Sequence, residues 1–185
     1  MPRKRTISST SNKVKQRLPS YLNFNHKSYD WKANIDYRKH PELYRIGRGE
    51  QGVLICQPYK NEICPYWRFK TVEQAIQSSN KIYELFLNYL QQNDFVGADM
   101  ARKYLQMGFT RSRRYANHAS GIKYDKKTYD ILPQEEDHKN NEKAQSANIF
   151  KEKWFEAKNN ELYKEMATKH RTMYEIKSTR NSTKD

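Results

Sequence analysis

Asp94-Phe-Val-Gly-Ala-Asp-Met-Ala-Arg-Lys-Tyr-Leu-Gln-Met-Gly-Phe-Thr-Arg-Ser-Arg-Arg-Tyr-Ala-Asn-His118 is the stretch whose reading decides the fold. Asp94 is a helix-capping residue type, and the helix it caps is predicted to run to Met107. Gly108 then reads as the residue that ends it in a left-handed conformation, with Phe109 making the accompanying apolar contact. Thr110 caps a further predicted helix, ending near Gly121. Helix, glycine turn, helix resembles a helix-turn-helix unit. Tyr104, four places before the glycine, is larger than the residue usual there. Recognition of phosphate or shape is therefore expected rather than standard major-groove docking.

On this reading Arg111, Arg113 and Arg114 sit in a first helical turn. Cations there oppose the helix dipole by ~0.3–1 kcal/mol each. The same turn offers unbonded N–H groups that favour an anion. Arg111, Arg114 and His118 share one face at i, i+3 and i+7, and Arg113 and Asn117 share the next. Arg and Asn are the side chains that pair with guanine and adenine edges. The competing reading pairs these arginines with carboxylates from residues 122–185, which hold twelve.

Upstream, three segments read as a small antiparallel sheet: Leu43 to Ile46, Val53 to Gln57, and Tyr66 to Lys70. In the last of these Arg68 and Lys70 alternate with Trp67 and Phe69, so one face of the sheet is partly basic. Residues 21–42 hold Tyr21, Phe24, Tyr29, Trp31, Ile35 and Tyr37, and read as an arm that packs aromatics on the core. Thr71 caps a helix over 71–91, with Val72, Ile76, Ile82, Phe86 and Leu90 near helical spacing. Residues 122–145 read as a polar loop. A last helix starts at Ser146 with Ile149, Phe150, Trp154 and Ala157 on one stripe, is weakened at Asn159-Asn160, and continues through Leu162, Tyr163 and Met166. The expected fold class is α+β: a small antiparallel sheet, then a helical part with a helix-turn-helix-like pair and a C-terminal helix.

Gly47-Arg-Gly-Glu-Gln-Gly52 matches G-x-G-x-x-G. A dinucleotide site needs a helix after the glycines, and here a strand-like run and Pro58 follow. A kinase glycine loop would need H-R-D-x-x-x-x-N and D-F-G elsewhere, and both are missing. What remains is a turn with Arg48 at its tip, either an anion nest or, more simply, a loop needing positive φ at its glycines. Cys56 and Cys64 are eight apart and no histidine shows ligand spacing, so neither metal nor cofactor is expected. No catalytic motif is present. The enzyme alternative, a hydrolase or transferase on a phosphate-bearing substrate, needs Glu50, Asp99 and His118 to meet in space.

The chain has 185 residues and a net charge of +14, from 35 Lys and Arg against 21 Asp and Glu. Residues 1–20 carry six basic residues and no acid. Leu, Ile, Val and Phe total 32, below the ~20% at which a charged chain can fail to fold. Fourteen Tyr and three Trp supply the missing apolar area. The expected organisation is a disordered basic tail over 1–28, one domain over 29–176 and a short tail over 177–185. No run approaches ~18 apolar residues, and no apolar segment follows the basic start. The expectation is therefore an intracellular protein of cytoplasm or nucleus, or of a virion or virus-infected host cell, without membrane contact.

Tyr44-Arg-Ile-Gly-Arg-Gly-Glu-Gln-Gly-Val-Leu54, Gln57-Pro-Tyr59, Trp67-Arg-Phe-Lys70, Asp94-Phe-Val-Gly-Ala-Asp-Met-Ala-Arg102 and Arg113-Arg-Tyr-Ala-Asn-His118 together resemble a family of small uncharacterised domains. It is found in bacteria, fungi, cyanobacterial phages and other large DNA viruses, and is known as a domain of unknown function. The resemblance spans about residues 30–165 and includes Ile149 to Trp154. It implies a single domain and no secretion, and assigns no site residue.

The function expected from the residues is sequence-tolerant nucleic-acid binding. The expected surface is Arg111, Arg113, Arg114, Asn117 and His118, with Arg48, Arg68 and Lys70 nearby. If six to ten phosphates were neutralised, affinity would fall ~10³–10⁵-fold between 50 and 200 mM salt. A protein-interaction module with an acidic partner is the other non-enzymatic expectation.

Overall fold

The computed structural model describes Asn25, residues 29–47 and residues 49–175. The basic tail (apart from Asn25), Arg48 and the C-terminal tail lie outside the described residues. The described residues form helices α1 (Tyr59–Ile63), α2 (Val72–Gln91), α3 (Phe95–Asn117), α4 (Glu142–Asn159) and α5 (Glu161–His170). A single π-helical turn, Arg171–Glu175, extends α5.

The expected α+β fold is overturned: among the described residues there is no strand. Only isolated bridges occur, Asp36 with Gln57 and Tyr124 with Ile131. Prolines explain much of the difference. Proline presets φ for a helical start and lacks the N–H that a ladder needs. Pro41 opens a 3-10 turn through Leu43, Pro58 precedes α1, and Pro65 lies in a second 3-10 turn, Cys64–Tyr66. At the segment Val53 to Gln57, the preceding Gly52 takes φ +80° and the Ile55 amide donates to its carbonyl at 2.9 Å. Val53 and Cys56 are both buried, three residues apart, which is turn spacing and not alternation. Beyond Tyr66 the chain pairs with a side chain instead of a strand: the Arg68 amide donates to Ser78 Oγ of α2 at 3.0 Å.

The capping residues act as expected. Thr71 Oγ1 accepts from the Gln74 amide at 3.2 Å and Asp94 Oδ1 from the Gly97 amide at 2.9 Å. The end of α3 does not match the expectation. The helix runs unbroken through Gly108 to Asn117, so there is no helix-turn-helix pair. Gly108 is small because α4 crosses there: a Cβ on it would stand 2.3 Å from Phe150 Cδ1. The Asn141 side chain, just before α4, donates to the carbonyl of Ala116 at 3.0 Å. These two contacts set α3 and α4 antiparallel.

α4 starts four residues earlier than Ser146, because Asn141 Oδ1 accepts from the Ala144 amide at 2.9 Å. Asn160 ends α4 and caps α5, accepting from the Tyr163 amide at 3.0 Å. From Phe95 to Met107 nearly every residue of α3 is buried, so it is the central helix, with α2, α4, α5 and the N-terminal arm around it. Of the arm, Trp31 and Tyr37 are buried and Trp31 stacks on the buried Tyr44 at 4.9 Å, while Tyr21 and Phe24 lie outside the described residues.

Candidate anion-binding cleft

Three charged residues lie on one buried turn of α3, at i, i+3 and i+4. Asp99 is wholly buried. Its carboxylate accepts from the Tyr44 hydroxyl, from the Tyr163 hydroxyl at 2.6 Å, and from Arg102 Nε and Nη2 at 2.9 and 2.7 Å. Burial acts to raise its pKa, but the charges of Arg102 and Lys103 and the two hydroxyls hold it well below the carboxylate range. Lys103 is also wholly buried. Its ammonium donates to the carbonyls of Gly47 and Gly49 at 2.6 and 2.9 Å and stays 3.9 Å from Asp99. Burial lowers its pKa against the pull of Asp99. A buried cation thus ties the glycine loop to the central helix. The loop is tied a second time through Glu50, whose Oε2 accepts from Thr110 Oγ1 at 2.6 Å. Burial raises the Glu50 pKa, opposed by that hydrogen bond and by the charges of Arg111, Arg114 and Lys103.

Between this loop, α3 and the α4–α5 corner lies a cleft of about 510 Å³. Arg102, Lys158, Lys164 and Arg171 line it, together with Gln106 and Tyr163, and among the described residues no carboxylate does. Lys164 also reaches Glu161 outside the cleft, at 2.8 Å. The Lys158 ammonium sits near the rings of Trp154 and Phe155, at 5.9 and 5.7 Å. Such a lining can neutralise a multiply charged anion.

The residues expected to form the site are distributed differently. The arginine segment ends α3 and does not begin a helix, so its cations complement the helix dipole instead of opposing it. Arg113 donates to the His138 carbonyl at 3.0 Å and to Asn117 Oδ1 at 2.8 Å. The Asn117 carbonyl accepts from the Glu135 amide at 2.9 Å. His118 is buried, and its Nδ1 donates to the Pro133 carbonyl at 3.1 Å. These three residues are brought together as a clasp on residues 133–138. Arg111 and Arg114 are half-buried and act on Glu50. Arg68 is exposed and donates to the carbonyls of Trp67 and Cys64, at 2.9 and 3.4 Å. Lys70 is exposed near the start of α2, and its carbonyl accepts from the Lys143 ammonium. Arg48 lies outside the described residues. Asp99 and His118 are nineteen positions apart on one helix, about 28 Å at 1.5 Å per residue. The grouping of Glu50, Asp99 and His118 that the enzyme alternative needs is therefore not formed.

The cleft cations were missed because Lys158, Lys164 and Arg171 come from a balanced-charge region that reads as a solvated surface. One signal was present. Asp99, Arg102 and Lys103 stand at helical spacing among Met100, Ala101, Tyr104 and Leu105, a place where charges are buried and therefore partnered. Among the described residues no group of three His, Cys, Asp or Glu could hold a metal ion. Nor is any helix there long and apolar enough to cross a membrane.

The chain belongs to the family described as Domain of unknown function (DUF4385), whose model matches residues 27–173. The match takes in the arm from residue 27 onward, the glycine loop, the five helices described above and the cleft. No curated protein and no solved structure shows a match.

Proposed function

We propose that this protein binds nucleic acid without strong sequence preference, by seating backbone phosphate in the cleft between the glycine loop and the α4–α5 corner. The observation that carries this reading is the convergence of Lys158, Lys164 and Arg171 on one concave surface, beside the Asp99-paired Arg102 and with no carboxylate among the described lining residues. Phosphate contacts of this kind position a strand and carry no base information. A basic chain of +14 adds long-range attraction. The clasp of Arg113, Asn117 and His118 supports the domain from the far end of α3 and is not part of the seat.

The test is fluorescence anisotropy with labelled single- and double-stranded DNA and RNA, for the wild type and for Lys158→Glu/Arg171→Glu. Three phosphates on a single strand, set against Lys158, Lys164 and Arg171, give a log–log salt slope of about −2.1, or a loss of roughly 20-fold between 50 and 200 mM salt. The double variant is expected to lose most of that affinity and flatten the slope. Equal affinity of the two proteins for every oligonucleotide would place binding elsewhere and refute the reading.

A further inference from the structure

On another side of α5 lies a second cleft, of about 390 Å³. It is bounded by the 92–96 turn, by α5 and by the π-helical turn. Phe95, Met166, Met173 and Tyr174 give it an apolar, partly aromatic wall. His170 lines it as well and is only 4% exposed. The imidazole is enclosed by the rings of Phe95, Tyr174 and Tyr44, with centroids at 4.8, 4.9 and 5.7 Å. His170 Nε2 stands 3.0 Å from the Tyr44 carbonyl. A carbonyl can only accept, so Nε2 carries the proton. Burial lowers the ring's pKa, opposed by that backbone bond and by Glu175 and Asp99. With Nε2 donating, Nδ1 is the ring atom left to accept a hydrogen bond. Among the described residues nothing donates to it.

The groups around that lone pair suggest a ligand. Gln92 and Asn93 bring side-chain amides, each a donor and an acceptor, to the same cleft. Lys169 brings a cation, while Arg38 and Asp94, which also line the cleft, pair with each other at 3.1 Å. Phe95 and Val96, in the first turn of α3, have amides with no carbonyl four residues back inside the helix. An acceptor among aromatic rings, amides beside it and a cation at the edge suit a planar heterocycle with N–H on its rim and a phosphate attached.

We propose that this cleft holds one nucleotide of a single-stranded nucleic acid, its base against Tyr174 and Met173, an edge N–H donating to His170 Nδ1, and its phosphate toward Lys169. The proposal rests on the nucleic-acid reading above and adds a preference: a base still paired in a duplex cannot enter. Stacking of one base on such a wall raises single-strand affinity about tenfold.

The experiment uses the full chain and a 2-aminopurine-labelled single strand, with the matching duplex as control. Wild type is expected to quench the label on the single strand. Met173→Ala/Tyr174→Ala, which alters side chains at the rim of the core, is expected to lose the quench and about tenfold in single-strand affinity while binding duplex as before. A quench that survives in the variant overturns the proposal. A second arm separates its failure from that of the phosphate cleft. Adenosine 5′-monophosphate is titrated into methyl-labelled wild type, with inorganic phosphate as control. Shifts of the Met166 and Met173 methyl signals with the nucleotide alone sustain the base site even if no oligonucleotide binds. Unmoved methyls overturn it even if oligonucleotides bind at the other cleft.

Discussion

Gly108→Ala is expected to destabilise this protein, and to do so only while Phe150 is present. An added Cβ would lie 2.3, 2.5 and 2.6 Å from Phe150 Cδ1, Cε1 and Cγ. Carbon atoms in contact sit at ~3.5–4.0 Å, so the ring must move by more than about 1 Å. The surrounding core is close-packed and yields little, which puts the overpacking cost near the upper end of ~1–3 kcal/mol. Replacing glycine by alanine inside a helix returns about 1 kcal/mol. The net expectation is a loss of ~2 kcal/mol. In a Phe150→Ala background, itself costing ~3–5 kcal/mol, the ring is gone and only the helix term remains. There Gly108→Ala is expected to stabilise by ~1 kcal/mol, a reversal of sign and a coupling of ~3 kcal/mol. Urea unfolding followed by tryptophan fluorescence measures all four corners of the cycle, read from Cm at constant m. An equal cost in both backgrounds would refute the packing argument. That result is what a helix-terminating glycine with positive φ would give, because backbone strain there does not depend on Phe150.

Three more perturbations separate the buried network from the surface. Lys103→Met leaves the Gly47 and Gly49 carbonyls without their donor and is expected to cost ~3 kcal/mol, measured by guanidinium unfolding; a change below ~1 kcal/mol would mean that the clamp does not hold the loop. His170 has its folded pKa lowered by burial, so as pH falls through about 6.5 the unfolded chain takes up a proton that the folded chain refuses, and stability drops. His170→Gln is expected to have a shallower loss between pH 7 and 5 than wild type in parallel denaturation series, and identical slopes would exclude that histidine as a source. Arg113→Ala is expected to speed hydrogen exchange at the Glu135 amide, which bonds the carbonyl of Asn117, while changing oligonucleotide affinity by less than about twofold; unchanged exchange with lost affinity would return that arginine to the binding surface.

The sequence was informative where short-range physics decides the outcome, as at Thr71 and Asp94, whose side chains can reach only the nearby amides of their own helices. The aromatic arm was readable for a related reason: Trp31 and Tyr37 are too large and apolar to stay outside a chain so poor in aliphatics. Gly108 was misread because a glycine after an apolar run means the same thing locally whether it ends a helix or admits a neighbour. Only the position of Phe150, forty-two residues on, distinguishes the two. That one residue determines whether the arginines begin a helix or end one, and so reverses their electrostatic meaning. The three expected strands fail for the opposite reason: Pro41, Gly52, Pro58 and Pro65 are local signals, and each favours a turn or a helix start over a ladder. The cleft was the least legible part. Its cations come from α3, α4, α5 and the turn after it, and nothing local marks Lys158 or Arg171 as facing Arg102.

The buried trio on α3 also accounts for the sign of the cleft floor. Asp99 takes two N–H groups of Arg102, and that pair is neutral in sum. Lys103 is different, because its closest partners are carbonyls at 2.6 and 2.9 Å while the carboxylate stays at 3.9 Å. Carbonyl dipoles replace the hydration that a buried ammonium loses, yet they do not cancel its charge. A positive field, reduced by Glu50 but not cancelled by a direct ion pair, therefore remains under the glycine loop, in surroundings where screening by salt is weakest. The loop's own carboxylate, Glu50, acts on Lys103 only at a distance, because its hydrogen bond goes to Thr110. A loop that offers backbone oxygen inward is the arrangement that keeps the cation buried and its field uncancelled. On the proposed reading the cleft then attracts phosphate in two ways. Lys158, Lys164 and Arg171 at the rim supply the share that salt removes, and Lys103 beneath supplies a share that persists.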